Sequence, residues 1–67
     1  MRIHLWEYKI FELPKDAGQS QVHTLLNKFG DEGWELVTVR EKTIVKLDTT
    51  VTRTLFILKR PKGYKDL

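Results

Sequence analysis

The chain has 67 residues, including 12 lysine or arginine, 9 aspartate or glutamate and no cysteine. A core of this size rarely contributes more than about 3–5 kcal/mol unless a disulfide, a metal or another subunit reinforces it. The composition excludes disulfides and thiolate metal sites, and His4 and His23 lack the spacing of a zinc pair. We therefore expect no metal and no cofactor, and we expect copies of the chain to associate as a homo-oligomer.

The net charge of +3 is unevenly distributed. Residues 1–36 contain four basic and six acidic side chains, whereas residues 37–67 contain eight basic and three acidic side chains. A basic half indicates an anionic partner, although lysine and arginine also protect strand edges from aggregation. The longest apolar run is the four residues 55–58, which is too short for a membrane span or a signal peptide. We expect no membrane segment and a cytoplasmic location.

The first predicted element is a strand from Leu5 to Leu13. Trp6, Tyr8 and Ile10 alternate with the residues between them, the pattern of a half-buried strand. We expect Pro14 to end this strand because proline cannot donate to the sheet.

The second predicted element is a helix, because apolar residues recur at helical spacing. They are Val22, Leu25, Leu26 and Phe29. Ser20 is the preferred N-cap since it directly precedes this stripe. Asp16 is the alternative N-cap, but it would place Gly18 in the first turn at a cost of about 1 kcal/mol.

The end of the helix is predicted at Gly33. If Gly33 is the left-handed residue after the helix, Trp34 and Phe29 occupy the two positions that make the hydrophobic contact of a Schellman motif. A stop at Gly30 would pair Leu26 with Asp31 instead, which makes no such contact.

Two further strands are predicted, from Trp34 to about Lys46 and from about Thr49 to Arg60, because both are rich in Val, Thr, Ile and Leu. The expected register pairs Val37 with Leu58, Val39 with Phe56, and Glu35 with Arg60. The domain is then residues 1–61, and residues 62–67 form a polar tail that we expect to fray.

These elements predict an α+β fold of order β-α-β-β, with a three-stranded antiparallel sheet and one helix packed on one face. The helix can cover only one face, and exposed apolar patches usually mark interfaces. We therefore predict an oligomer interface on the other face, formed by Trp34, Leu36, Leu55 and Ile57.

Four segments of the chain resemble a short bacterial and phage family catalogued as a domain of unknown function. They are Trp6-Glu7-Tyr8-Lys9, Leu26-Asn27 with Gly30, Glu32-Gly33-Trp34-Glu35-Leu36-Val37, and Phe56-Ile57-Leu58-Lys59-Arg60-Pro61. The resemblance covers nearly the whole chain and implies a β-α-β-β fold. It implies no activity, cofactor or catalytic residue.

The sequence favours a binding module over an enzyme. Ser20 is explained as a cap and His23 as a surface residue, and Asp31 and Glu32 are adjacent and cannot face each other on a helix. The expected ligand is a protein or an anionic, nucleotide-like small molecule. By binding it, the chain would act as a phage- or bacterium-encoded inhibitor or sponge. Predicted ligand-binding residues are Arg40, Lys42, Arg53, Lys59 and Arg60. The alternative is a sheet that binds nucleic acid, because aromatic residues are interleaved with these cations.

Overall fold

The computed structural model describes residues 1–67 and contains three strands and one helix. Strand β1 spans Arg2–Pro14, helix α1 spans Gln19–Asp31, strand β2 spans Glu35–Val45 and strand β3 spans Thr50–Asp66. The sheet is antiparallel with the order β1-β3-β2. The predicted α+β fold of order β-α-β-β is confirmed.

The sheet is three-stranded only in its middle, because β3 is longer than either neighbour. Strand β1 pairs with residues 53–66 and strand β2 with residues 50–59. Beyond the shared section, residues 43–52 form a hairpin arm at one end of the sheet. Residues 2–6 and 61–66 form a second two-stranded segment, the terminal ribbon, at the other end. The N-terminal amine donates to the carbonyl of Leu67 at 3.1 Å, which closes this ribbon.

One face of the sheet, the helix face, carries the small core. Its buried residues are Leu13, Phe56 and Leu58, and the apolar stripe of α1 packs against them. Phe11 stacks on Phe56 with ring centroids 4.7 Å apart, and it also contacts Phe29 of the helix at 5.1 Å. The helix is too short and too polar to cross a membrane.

The helix begins one residue earlier than Ser20, so the preferred N-cap prediction is wrong. Gly18 is the N-cap, its φ and ψ are extended, and no side chain caps the helix. Ser20 lies in the first turn, where its carbonyl accepts a hydrogen bond from Thr24 Oγ1 at 2.8 Å. The alternative cap, Asp16, also lies outside the helix. Glycine is tolerated at an N-cap because the position requires only extended backbone.

The predicted end of the helix is confirmed in detail. Gly33 has a φ of 91°, and its N–H donates to the carbonyl of Gly30 at 2.9 Å. The N–H of Trp34 donates to the carbonyl of Phe29, also at 2.9 Å. These two bonds are the pair that defines a Schellman motif.

The predicted register between β2 and β3 is correct only in part. Val39 does pair with Phe56, but Leu36 rather than Val37 pairs with Leu58. Val37 is an extra residue in a bulge, so the β2 residues before it pair with β3 residues one position away from those predicted. Glu35 therefore pairs with Lys59 and not with Arg60.

The prediction that β3 ends at Arg60 and that the following residues fray is also wrong. The strand continues through Asp66 and pairs with the start of β1. Lys62 is an extra residue at a second bulge, and Gly63 follows it with a φ of 136°. The side chains of residues 62–67 are exposed, as a polar segment requires.

The molecule is long and thin. Its Cα positions extend over 54 × 27 × 12 Å, and the radius of gyration is 15.7 Å. A compact domain of this length has a radius of gyration of about 11 Å. The difference arises because the two arms extend beyond the part of the sheet that the helix covers.

Candidate binding face

The face of the sheet opposite the helix, the open face, exposes large apolar side chains. Successive side chains of a strand point to opposite faces, so the neighbours of Phe11 and Phe56 belong to this face. It includes Trp6, Tyr8, Ile10, Leu55 and Ile57. Tyr8 is 64% exposed and Ile10 is 62% exposed. The middle of the sheet therefore has a core on one side and solvent on the other.

The structure divides the four residues of the predicted oligomer interface between the two faces. Leu55 and Ile57 lie on the open face, where both are only partly buried. Trp34 packs against the core on the helix face, and Leu36 shares that face because it pairs with Leu58. The predicted grouping is wrong because the bulge at Val37 reverses the alternation of the residues before it.

Three of the predicted ligand-binding residues lie together on the open face, near the hairpin arm. Arg53 Nε donates to Glu12 Oε2 at 3.0 Å, and Lys42 Nζ lies 3.9 Å from Glu12 Oε1. Lys42 and Arg53 are directly opposite each other on β2 and β3. Arg40, opposite Leu55, makes no ion pair. We call Arg40, Lys42 and Arg53 the basic row. Lys42 and Arg53 share the single carboxylate of Glu12 and Arg40 has none, so the row keeps a positive charge.

The other two predicted ligand-binding residues, Lys59 and Arg60, are on opposite faces of β3. Lys59 lies on the open face, with Nζ 4.3 Å from the centroid of the Trp6 ring. Arg60 lies on the helix face, where Nε donates to a Glu7 oxygen and Nη1 donates to the carbonyl of Glu32 at 2.9 Å. Its guanidinium also lies 4.3 Å from the Trp34 centroid. Arg60 thus fixes the end of the helix to the sheet, apart from the basic row.

Comparison of the sequence with known families finds a match. A family model described as a domain of unknown function, DUF4177, matches residues 6–61. The chain belongs to this family. No curated protein and no solved structure matches it.

The DUF4177 match includes the whole basic row and two aromatic residues of the open face, Trp6 and Tyr8. The remaining aromatic residues of the open face, His4 and Tyr64, lie outside the match in the terminal ribbon. The His4 and Trp6 ring centroids are 6.5 Å apart. These four side chains extend along one face of β1 and its partner β3.

His4 and Tyr64, at the outer end of this aromatic surface, are the part of the site that was not predicted from the sequence. The signal was present, because His4, Trp6 and Tyr8 alternate with period two along β1. Strand β1 was expected to begin only at Leu5, and its partner residues 62–66 were expected to fray. In the structure Arg2 lies over the Tyr64 ring, 4.1 Å from its centroid, and forms an ion pair with Asp66 at 3.6 Å. No group of His, Asp and Glu side chains is arranged to hold a metal.

Proposed function

We propose that this DUF4177 chain is a non-enzymatic, homo-oligomeric binding module of the cytoplasm, whose copies associate through the open face and whose basic row binds an anionic small molecule. The observation that carries the proposal is the exposure of Tyr8 and Ile10 beside a row of undercompensated cations. Both side chains lie on the edge strand β1, within the three-stranded section of the sheet, and large apolar side chains are usually removed from water.

The surface area of a single copy supports association. One chain has a solvent-accessible surface of 5359 Å². A folded monomer of 7.9 kDa has about 4,400 Å² by the scaling of area with mass. The excess is about 950 Å² per copy, or about 1,900 Å² for two, which falls in the range of specific protein interfaces. Only three residues are buried within one copy, so a second copy would supply much of the apolar burial.

The chemistry of the basic row supports an anionic ligand. Guanidinium groups bind phosphate and carboxylate oxygens through paired N–H donors, and Arg40 has no competing carboxylate. A module that holds such a ligand without converting it acts by sequestration. This is the action that we propose for a phage- or bacterium-encoded inhibitor or sponge.

Association is tested with two matched substitutions of exposed β-branched strand residues. Ile10→Glu places a charge in the open face, whereas Val45→Glu places one at the hairpin arm, where the side chain is 76% exposed. We expect sedimentation and native mass spectrometry to show dissociation for Ile10→Glu and the wild-type mass for Val45→Glu. Circular dichroism reports the folding of both variants. An Ile10→Glu protein that keeps the wild-type mass would contradict association through the open face.

Ligand binding is tested by native mass spectrometry of freshly purified protein and by the double variant Arg40→Ala with Arg53→Ala. We expect the wild-type protein to retain a small anion and the double variant to lose it while remaining oligomeric. Unchanged retention in the double variant would remove the basic row as the binding site.

A second candidate function, the binding of single-stranded nucleic acid, is favoured by the exposure of Trp6 and Tyr8 beside Lys59. Sheets bind unpaired bases through exposed aromatic rings and adjacent cations. This function predicts that affinity for a short RNA falls steeply with salt, with a slope that reports several phosphate contacts. A slope near zero would argue against it.

A further inference from the structure

The functional groups of the open face are placed symmetrically about one point. Ile10 pairs with Ile57 at this centre. Toward the hairpin arm, Arg40 pairs with Leu55, which is two residues from Ile57 on β3. Arg53 is four residues from Ile57 on the same strand, and Lys42 lies opposite it on β2. Two and four residues in the other direction are Tyr8 and Trp6. The outer groups on each side are therefore about 13 Å from the centre, at about 3.3 Å per residue.

We propose that two copies pack open face to open face in antiparallel orientation, and that each of the two resulting clefts binds a nucleotide between the basic row of one copy and the Trp6–Tyr8 end of the other. This inference rests on the proposed function and specifies its geometry and its ligand class. The occupant of the open face is thus a second copy of this chain.

Charge decides the relative orientation of the two copies. A two-fold axis along the strands would bring both basic rows together, so that six cations faced each other with only the two Glu12 carboxylates to compensate them. A two-fold axis across the strands at Ile10 and Ile57 separates the outer cations of the two rows, Lys42 and Arg53, by about 26 Å along the strands and the two Arg40 residues by about 13 Å. Both distances exceed the Debye length of about 8 Å at physiological salt. The antiparallel arrangement also places Ile10 and Ile57 of both copies at the apolar centre of the interface, with one Leu55 on either side of it.

In a single copy the outer residues of the basic row and of the aromatic end are too far apart to contact one small ligand. Arg53 and the position opposite Trp6 on β3 are eight residues apart, or about 26 Å along the strand. In the antiparallel dimer the rotation places Arg53 of one copy over Pro61 of its partner, the residue that pairs with Trp6, and packed sheets are only about 10 Å apart. Each cleft is therefore incomplete without the partner copy.

The groups that meet in each cleft match the two parts of a nucleotide. Trp6 and Tyr8, which are 39% and 64% exposed, offer aromatic rings on which a base can stack. Arg40 and Arg53 present guanidinium forks for phosphate oxygens, and Lys42 adds a third cation. Lys59, which lies over Trp6, places a further positive charge beside the same ring.

The decisive experiment is complementation between two defective subunits. Copies carrying Trp6→Ala and copies carrying Arg53→Ala are co-expressed with different tags, and the mixed dimer is isolated by two affinity steps. Calorimetry with ATP then counts the binding sites, with adenosine and tripolyphosphate as partial ligands. Circular dichroism and sedimentation establish that each variant is folded and dimeric, and Trp6→Leu replaces Trp6→Ala if the latter unfolds.

We expect ATP to bind the wild-type dimer at two sites, at least tenfold more tightly than adenosine or tripolyphosphate. Each homodimeric variant should lose at least tenfold in affinity, while the mixed dimer should recover one wild-type site. This recovery follows because one cleft contains both intact residues and the other contains both substitutions. If each site lay within one chain, both sites of the mixed dimer would be defective.

The outcomes separate this inference from the proposed function. No recovered site in a folded mixed dimer would overturn the shared clefts, yet leave an oligomeric binding module in place. Failure of the wild-type dimer to bind ATP, or binding of ten-nucleotide RNA far more tightly than ATP, would overturn the nucleotide cleft. The orientation is checked by a short bis-maleimide with Lys42→Cys in this cysteine-free chain. Efficient cross-linking of Lys42→Cys between the copies of one dimer would show parallel packing and overturn the inference. Efficient cross-linking of Ile10→Cys without cross-linking of Lys42→Cys would support the antiparallel arrangement.

Discussion

Leu58 is the residue whose loss tests most directly how this small core is built. It is the only fully buried side chain, with 1% of its surface exposed, and it lies in the central strand beneath the helix. Its cross-strand neighbours are Lys9 and Leu36, so the surrounding side chains come from all three strands as well as from α1.

Substitution of Leu58 with alanine should cost about 3–4 kcal/mol of unfolding free energy. Three buried carbon atoms contribute about 2.4 kcal/mol at about 0.8 kcal/mol each, and the remaining cavity adds to this loss. A core of this size supplies about 3–5 kcal/mol in total, so the variant should be substantially unfolded at 25 °C. Leu58→Met, which conserves volume, should cost less than about 1.5 kcal/mol.

The assay is urea denaturation followed by circular dichroism, repeated at two protein concentrations. For an oligomer the transition midpoint rises with concentration, so this series also measures how much stability association contributes. A loss smaller than about 1 kcal/mol for Leu58→Ala would refute the assignment of Leu58 as the centre of the core. It would show that the stabilising contacts lie elsewhere, in the interface or in the arms.

Three smaller predictions follow from single contacts. Gly33→Ala should lower the free energy of unfolding by about 1–2 kcal/mol because the residue has a φ of 91°. Gly30→Ala should raise it by about 0.5 kcal/mol, because Gly30 lies inside the helix and is equally free of close neighbours. Thermal unfolding of the two variants compares them directly, and equal effects would contradict the Schellman geometry. Glu12→Gln should cost about 0.5 kcal/mol, because Lys42 and Arg53 then face each other without their shared carboxylate. This loss should shrink in 1 M salt, and a loss independent of salt would show that it is not electrostatic. The same substitution should strengthen the binding of ATP in calorimetry, and weaker binding would argue against the basic row as an anion site.

The end of the helix could be predicted in detail because its cause is local. Gly33 supplies the positive φ, and the contact between Phe29 and Trp34 selects this glycine over Gly30. All the information lies within six consecutive residues. The start of the helix was predicted less well because no side chain determines it, and the backbone of Gly18 alone forms the cap.

The faces of β2 could not be predicted in full because one extra residue reverses them. The alternation of apolar residues is ambiguous where Leu36 and Val37 are adjacent, and either can pair with Leu58. The structure selects Leu36 and places Val37 in a bulge, which moves Trp34 to the helix face. Tertiary packing of Trp34 on the core decides this register, and the strand's own sequence does not contain it.

The terminal ribbon was missed because Pro61 and Gly63 are residues that normally end a strand. Both are tolerated here for reasons that depend on topology. Strand β2 ends opposite Lys59, so at Pro61 the central strand β3 has β1 as its only neighbour. On the side where β2 is absent, the missing N–H of Pro61 costs no sheet hydrogen bond. Gly63 takes its positive φ beside the bulge at Lys62. A sequence pattern cannot show where the neighbouring strand stops.

The lengths of the elements explain why one copy leaves so much apolar surface uncovered. Helix α1 has 13 residues and is about 20 Å long, whereas β3 has 17 residues and is about 56 Å long. The helix therefore covers about a third of one face of the sheet. Extending the helix would not help the other face, where Tyr8 and Ile10 lie. A sheet with large apolar residues on both faces needs a layer on each, and helix α1 supplies a layer on one face only. We propose that a second copy supplies the other layer. A second copy presents the same set of open-face residues. The two-fold symmetry of such a dimer produces two equivalent copies of any site formed at the ends of the interface.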